Sequence, residues 1–226
     1  MIKKINVMGV ELDNYAFAES LTTIEQFLKD TAVSVVLTVD MDQIVLACQD
    51  DIVREQLSAA DHTIVIDKAI FEAAGESSAS RERELDEKDF FLEFMKVMYH
   101  SNQSFFLIAE SEAEEKKMQK LLLERFPHLN IAGSGVVTEK VDENEALINT
   151  INIVVPDILL SALSSPGQEH FLHEHKKQIC AKIWYSVGPE LRKSKGGGLI
   201  GFMRRAVENR ILRSRLSKIE NDKKET

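Results

Sequence analysis

Val33–Thr38 is a continuous, largely β-branched apolar run set between two longer amphipathic segments. A strand with apolar residues at successive positions is buried on both faces, which is the condition of a parallel sheet covered by helices. The same alternation recurs along the chain. Strands are predicted at Ile5–Met8, followed by a turn through Gly9, and at Thr63–Ile66, Gln103–Ile108, Leu129–Ala132, Ile158–Ala162 and Lys182–Val187. Helices are predicted at Tyr15–Asp30, where Phe17, Leu21, Ile24 and Leu28 share one face, and at Met41–Ala60, Phe90–Tyr99, Glu112–Phe126, Glu143–Ile153 and Gly167–Gln178. Repeated strand–helix alternation implies a doubly wound, mostly parallel, Rossmann-like α/β fold. In such folds ligands bind at the carboxyl ends of the strands, so chemistry is sought just after each one.

The 226 residues suffice for one large domain with an appendage, and 44% hydrophobic content provides its core. Residues 1–192 are expected to form the α/β domain, and 193–226 a hinge and appendage. The net charge of −9 argues against general nucleic-acid binding. That average hides a basic tail: from Leu191 to Thr226 there are eleven Lys or Arg against four Asp or Glu. Cys48 and Cys180 lack metal-type spacing and read as buried free thiols in a reducing compartment. The start of the chain lacks a signal peptide's apolar stretch, and no run reaches the roughly 20 apolar residues of a membrane span. The expectation is a cytoplasmic protein able to lie against a membrane. Ser77–Glu87, Ser-rich and then charged, reads as a mobile excursion.

Three strand ends carry candidate chemistry. Thr38, Asp40 and Asp42 follow the first buried strand; they can bind hydroxyls of a sugar or nucleotide, or one Asp can simply cap the next helix. Asp67 follows His62–Ile66, where a carboxylate can serve as a general base or as a helix cap. Ser164-Ser165-Pro166-Gly167-Gln168-Glu169 follows Ile158–Ala162. Either serine can cap the next helix, whose first N–H groups suit a diphosphate, while Gln168 and Glu169 can reach a sugar or base. His170, His173 and His175 have no partner cluster and read as a solvated helix face rather than a metal site. Gly196–Gly198 follows no apolar strand and is a weak phosphate loop.

After the flexible Lys193–Gly198 hinge, Leu199, Ile200, Met203, Val207 and Ile211 recur at helical spacing among Arg204, Arg205, Arg210, Arg213 and Arg215. A basic amphipathic helix suits an anionic membrane surface or a phosphate-bearing ligand; packing on the body or in an oligomer interface is the alternative.

In order, four blocks resemble the bacterial glycosyltransferase family named for WecG, TagA and CpsF, over about Ile5 to Arg215. They are NVMGVELDNYAFAESLTTIEQFL, VVLTVDMDQIVLACQDDIVREQLSAADHTIVID, FFLIAESEAEEKKMQKLLLERFPHLNIAG and PDILLSALSSPGQE. The resemblance implies transfer of a sugar, often of N-acetylmannosamine type, from a UDP-sugar to a polyprenyl-diphosphate-linked sugar, with inversion and without a metal or other cofactor. By position it implies Asp67 as general base, Thr38 beside it, and Gln168 and Glu169 as the active-site and nucleotide-side pair. It implies that the tail arginines (Arg204, Arg205, Arg210 and Arg213) meet the acceptor diphosphate and the inner face of the membrane.

Several positions differ from the family pattern. Asp40 replaces Asn, Lys68 replaces the Gly after the base, Ala109-Glu110 replaces a Gly pair, and Gly167 replaces Lys; Val187–Leu191 departs from a Gly-rich stretch. Glu110 brings bulk and negative charge to a strand end where Gly lets backbone approach a ligand. Lys68 either adds charge beside a diphosphate or pairs with Asp67, and Ser165 and Asp40 complete the expected substrate contacts. A second reading is a member that keeps the fold but acts as an interaction or regulatory subunit of a polysaccharide-synthesis complex. Whether the chain forms a homo-oligomer is left open.

Overall fold

The computed structural model describes residues 3–187 apart from Lys88. The elements are β1 (Lys4–Val7), β2 (Val10–Asp13), α1 (Phe17–Phe27), β3 (Ser34–Val39), α2 (Met41–Ala47), α3 (Asp51–Ala59), β4 (His62–Val65), α4 (Lys68–Ala73), α5 (Ala79–Glu87), α6 (Phe90–His100), β5 (Ser104–Ala109), α7 (Glu112–Arg125), β6 (Asn130–Val136), α8 (Val141–Val154), β7 (Ile158–Ser161), α9 (Gly167–His175) and β8 (Ile183–Ser186). A 3-10 turn, Lys176–Gln178, follows α9.

β1 and β2 form an antiparallel hairpin, and the other six strands form one sheet in the order β4-β3-β8-β7-β5-β6. Every pairing in that sheet is parallel. Alternate strand residues serve opposite layers, as the two-residue period of a strand requires. Val35, Leu37, Val39, Phe106, Ile108, Leu159 and Trp184 share an apolar cluster with residues of α2, α3, α8 and α9, among them Ile44, Leu57, Ile148 and Phe171. On the opposite face Tyr185, in register with Val36, stacks on Phe94 of α6 at 4.2 Å between ring centroids. Helices therefore cover both faces, as the doubly wound reading expects.

Two glycines of β6 permit this packing. A Cβ on Gly133 would lie 2.6 Å from the Phe106 ring, and one on Gly135 only 2.3 Å from Leu147 of α8. The edge strand β6 runs on to Val136, beyond the predicted Ala132.

Other expectations are corrected. The hairpin gains β2 because Met8 and Gly9 both adopt positive φ, 53° and 88°, the geometry of a two-residue hairpin turn. Met41–Ala60 is two helices: Asp50 accepts the N–H groups of Ile52 and Val53 and starts α3 afresh. Ser77–Glu87 contains the ordered helix α5. Its anchor is a charged residue, since the Arg81 guanidinium lies 4.9 Å from the Phe71 ring and 6.0 Å from that of Phe17 and pairs with Glu84 at 2.5 Å. Both cysteines are exposed, Cys48 at the end of α2 and Cys180 in the loop before β8. His175 is buried against the Phe171 ring rather than solvated.

No described helix is long and apolar enough to cross a membrane. The Lys193–Gly198 hinge and the tail arginines (Arg204, Arg205, Arg210, Arg213 and Arg215) lie outside the described residues.

Candidate active site

The predicted site residues that fall within the described chain gather at the carboxyl end of the sheet. Thr38, near the end of β3, is buried. Its hydroxyl donates to the Ser186 carbonyl at 2.7 Å, and its N–H donates to the Ser186 hydroxyl at 2.9 Å. The Tyr185 phenol also bonds the Thr38 side chain, and burial pushes that phenol well above its usual pKa. Thr38 is thus tied into the junction of β3 and β8.

Asp40 starts α2 by accepting the N–H of Gln43 at 2.9 Å, and the Gln43 side chain returns the bond to the N–H of Asp40 at 3.2 Å. This reciprocal capping box realises the capping reading for Asp40, whereas Asp42 lies exposed in the first turn. Asp67 starts α4: Oδ1 accepts the N–H of Ala69 at 2.9 Å. Its Oδ2 accepts the N–H of Met41 at 3.3 Å, so Asp67 also reaches the loop after the neighbouring strand. Lys68 turns away from Asp67 and pairs with Asp86 of α5 at 2.7 Å.

At the end of β7 neither serine caps α9 through its side chain. The Ser165 hydroxyl donates to Glu169 Oε1 at 2.7 Å and accepts from Gln43 Nε2 at 3.0 Å. Gln43 Nε2 also donates to Glu169 Oε1 at 3.3 Å. Ser161 donates to Gln168 Oε1 at 3.0 Å. Gln168 and Glu169 are fully buried, yet among the described residues Gln168 Nε2 and Glu169 Oε2 have no hydrogen-bond partner. Burying an unpaired polar atom is costly, so such atoms call for an explanation. Glu110, at the end of β5, accepts the N–H of Ser164 at 2.6 Å and the Ser164 hydroxyl as well, linking the loops after β5 and β7.

His170 Nε2 lies 2.9 Å from Asp50 Oδ2 and joins α9 to the start of α3. That bond, aided by the N–H groups of Val53 and Ile52, holds the Asp50 carboxyl below its usual pKa against the opposing effect of burial. Among the described residues no three side chains of metal-binding type come together.

The structure therefore brings Asp40, Asp67, Ser165, Gln168 and Glu169 to one edge and adds Gln43 to them. Gln43 is not among the residues expected from the sequence, although its place three residues after Asp40 is a capping-box spacing.

The family model described as the glycosyl transferase WecG/TagA/CpsF family matches residues 5–192. The N-acetylglucosaminyldiphosphoundecaprenol N-acetyl-beta-D-mannosaminyltransferase of Staphylococcus aureus strain MRSA252 is 19% identical over 195 residues, which cover 85% of this chain and 76% of that protein. Its counterparts from strains NCTC 8325 and COL are 18% identical over the same length. With a match that runs over most of the chain, from Ile5 past the end of β8, the chain belongs to the WecG/TagA/CpsF family of glycosyl transferases.

Proposed function

We propose that the chain moves a hexose, of N-acetylmannosamine type or another, from a UDP-sugar to a polyprenyl-diphosphate-linked sugar in cell-wall, teichoic-acid or capsule synthesis. The observation that carries this reading is the buried pair on α9: an amide donor, Gln168 Nε2, and a carboxylate acceptor, Glu169 Oε2, adjacent in sequence and without partners among the described residues. Hydroxyl and amide groups of a nucleotide sugar match that combination. A ligand reaches these atoms only by displacing the side chains that cover them. The acceptor class is supported by the activity for which the staphylococcal relatives are named.

In the proposed reaction Asp67 takes the proton of the acceptor hydroxyl. The resulting oxygen attacks the anomeric carbon from the side opposite UDP, the carbon–oxygen bond to UDP breaks with its electron pair, and the configuration inverts. Asp67 accepts two backbone N–H bonds, but a carboxylate has about four lone-pair sites, so capacity remains for the hydroxyl. Thr38, tied to Ser186 and Tyr185, would fix the end of β3 beside the strand that carries the base, and Asp40 and Ser165 would line the substrate side. Lys68, released from Asp86, would neutralise the leaving diphosphate together with the N–H groups at the start of α9. The reading includes no metal, and unchanged turnover in a chelator tests that element. The tail arginines (Arg204, Arg205, Arg210 and Arg213) would hold the lipid diphosphate at the inner face of the membrane.

A non-catalytic family member, serving as an interaction or regulatory subunit, is favoured by one observation: Glu110 occupies the N–H of Ser164 at the strand end where the family carries glycine. Titration with UDP and UDP-sugars by calorimetry separates the two readings. Binding supports the transferase, and absence of binding at millimolar nucleotide overturns it.

A further inference from the structure

β3 and β7 are not neighbours in the sheet, because β8 lies between them. Their ends are therefore separated by roughly two strand spacings, about 10 Å. Gln43 spans this gap. Its N–H and Oε1 are used within the capping box with Asp40, while Nε2 is shared between Ser165 Oγ and Glu169 Oε1. The side chain is 4% exposed, and none of its polar atoms lacks a partner. A buried position on an amphipathic helix is filled most cheaply by an apolar residue, since an amide must have all its hydrogen bonds satisfied merely to break even. A glutamine there is informative because its two ends serve different helices.

We infer that Gln43 is a positioning residue: it holds Ser165 and Glu169 at the start of α9 in the arrangement that receives the nucleotide, and couples them to the strand end that carries Asp40 and contacts Asp67. The assignment rests on the nucleotide-binding role proposed for α9. It makes a directional statement about the amide. The oxygen end maintains α2, and the nitrogen end maintains α9.

Gln43→Glu separates the two ends. The new carboxylate still accepts the N–H of Asp40, so α2 keeps its cap. Its other oxygen then faces Glu169 Oε1, and two carboxylates in van der Waals contact repel. Exchanging the partner as well, Gln43→Glu with Glu169→Gln, restores one donor and one acceptor in the reverse sense.

The first readout needs no ligand. The amides of Gln168 and His170 close the first turn of α9 on the carbonyls of Ser164 and Pro166, at 2.9 and 3.0 Å. In Gln43→Glu they are expected to exchange with deuterium about ten-fold faster, with α7 amides unchanged, and to return to the wild-type rate in the double variant. Unchanged exchange in the single variant, or no recovery in the double, overturns the inference. The second readout is kinetic: Gln43→Glu raises KM for the UDP-sugar about ten-fold with kcat held, because the Asp40 cap and the Met41–Asp67 bond are untouched. Faster exchange with an unchanged KM removes Gln43 from substrate binding. Failure of the wild type to bind UDP counts against the donor reading alone, since the exchange experiment decides the positioning of α9 without a nucleotide.

Discussion

Asp67 Oδ2 accepts the backbone N–H of Met41 at 3.3 Å, so the carboxylate after β4 is held by the first turn of the helix that follows β3. The two loops cannot shift independently without stretching this bond. Asn keeps an acceptor for the N–H of Ala69, and Asn and Asp are near-equal caps. In Asp67→Asn, however, an amide NH2 replaces Oδ2 opposite the N–H of Met41, so a loss of about 1–3 kcal/mol is expected in urea unfolding. Transfer should be abolished with UDP affinity little altered, as measured by sugar incorporation and calorimetry. Wild-type turnover in this variant removes Asp67 from the mechanism.

Thr38 offers a contrasting test, because its hydroxyl is used by the sheet. Thr38→Val leaves the buried Ser186 carbonyl without this donor and the Tyr185 phenol without its partner. The expected loss in urea unfolding is about 1–3 kcal/mol. Thr38→Ser should retain most of that stability, and a valine variant as stable as wild type would show that the hydroxyl does not brace the junction.

His62 sets a pH dependence. It is 2% exposed, and burial holds its imidazole below the usual pKa; Asp13, 3.6 Å away, opposes this and Lys4 reinforces it. The unfolded chain therefore takes up this proton at a higher pH than the folded one. The contribution to stability is complete above about pH 6.5 and is lost as the pH falls below that value toward the depressed folded pKa. The urea midpoint should drop between pH 7 and 5.5, and the drop should shrink in His62→Gln. An identical pH profile in the variant would assign the effect elsewhere.

Arg81 holds α5 against Phe17 and Phe71. Truncation to Ala removes an ion pair and two ring contacts, with an expected local loss of about 1–2 kcal/mol. Proteolysis within Ser77–Glu87 should accelerate while the circular dichroism of the body is kept. Equal cleavage rates would mean that Arg81 is not the anchor.

The role proposed for the tail has a direct assay. Truncation after Gly198 should reduce sedimentation with anionic liposomes, and the reduction should shrink at high salt, where surface charge is screened. Equal sedimentation of the two chains rules out the membrane contact.

The sheet was legible wherever burial on both faces leaves consecutive apolar residues, as at Val33–Thr38 and Ile158–Ala162. It was not legible where a different force sets the structure. β2 depends on a positive-φ turn at Met8, which propensity does not announce. α5 depends on Arg81, which a hydrophobic pattern counts as solvent-facing. The break at Asp50 is a competition between a side chain and the helix for the same N–H groups. For the candidate site, the strand-end positions of Asp40, Asp67, Gln168 and Glu169 were legible. The bond from Glu110 to Ser164 could not be read, because it requires knowing that β5 and β7 are neighbours. The reach of Gln43 likewise depends on where β8 is inserted.

That insertion bears on how the molecule can be assembled. β8 is the last described strand to be synthesised, yet it occupies an interior slot between β3 and β7. Until it arrives, the chain can offer only two half-sheets, β4-β3 and β7-β5-β6, each with an unpaired inner edge. Domains tend to fold as units during synthesis, and unpaired strand edges invite aggregation. The nascent protein therefore carries two adhesive margins from the emergence of β7 until β8 arrives, and four residues seal both at once. The only tryptophan of the chain, Trp184, lies in that strand beside Phe171, so its fluorescence would time the closing of the seam.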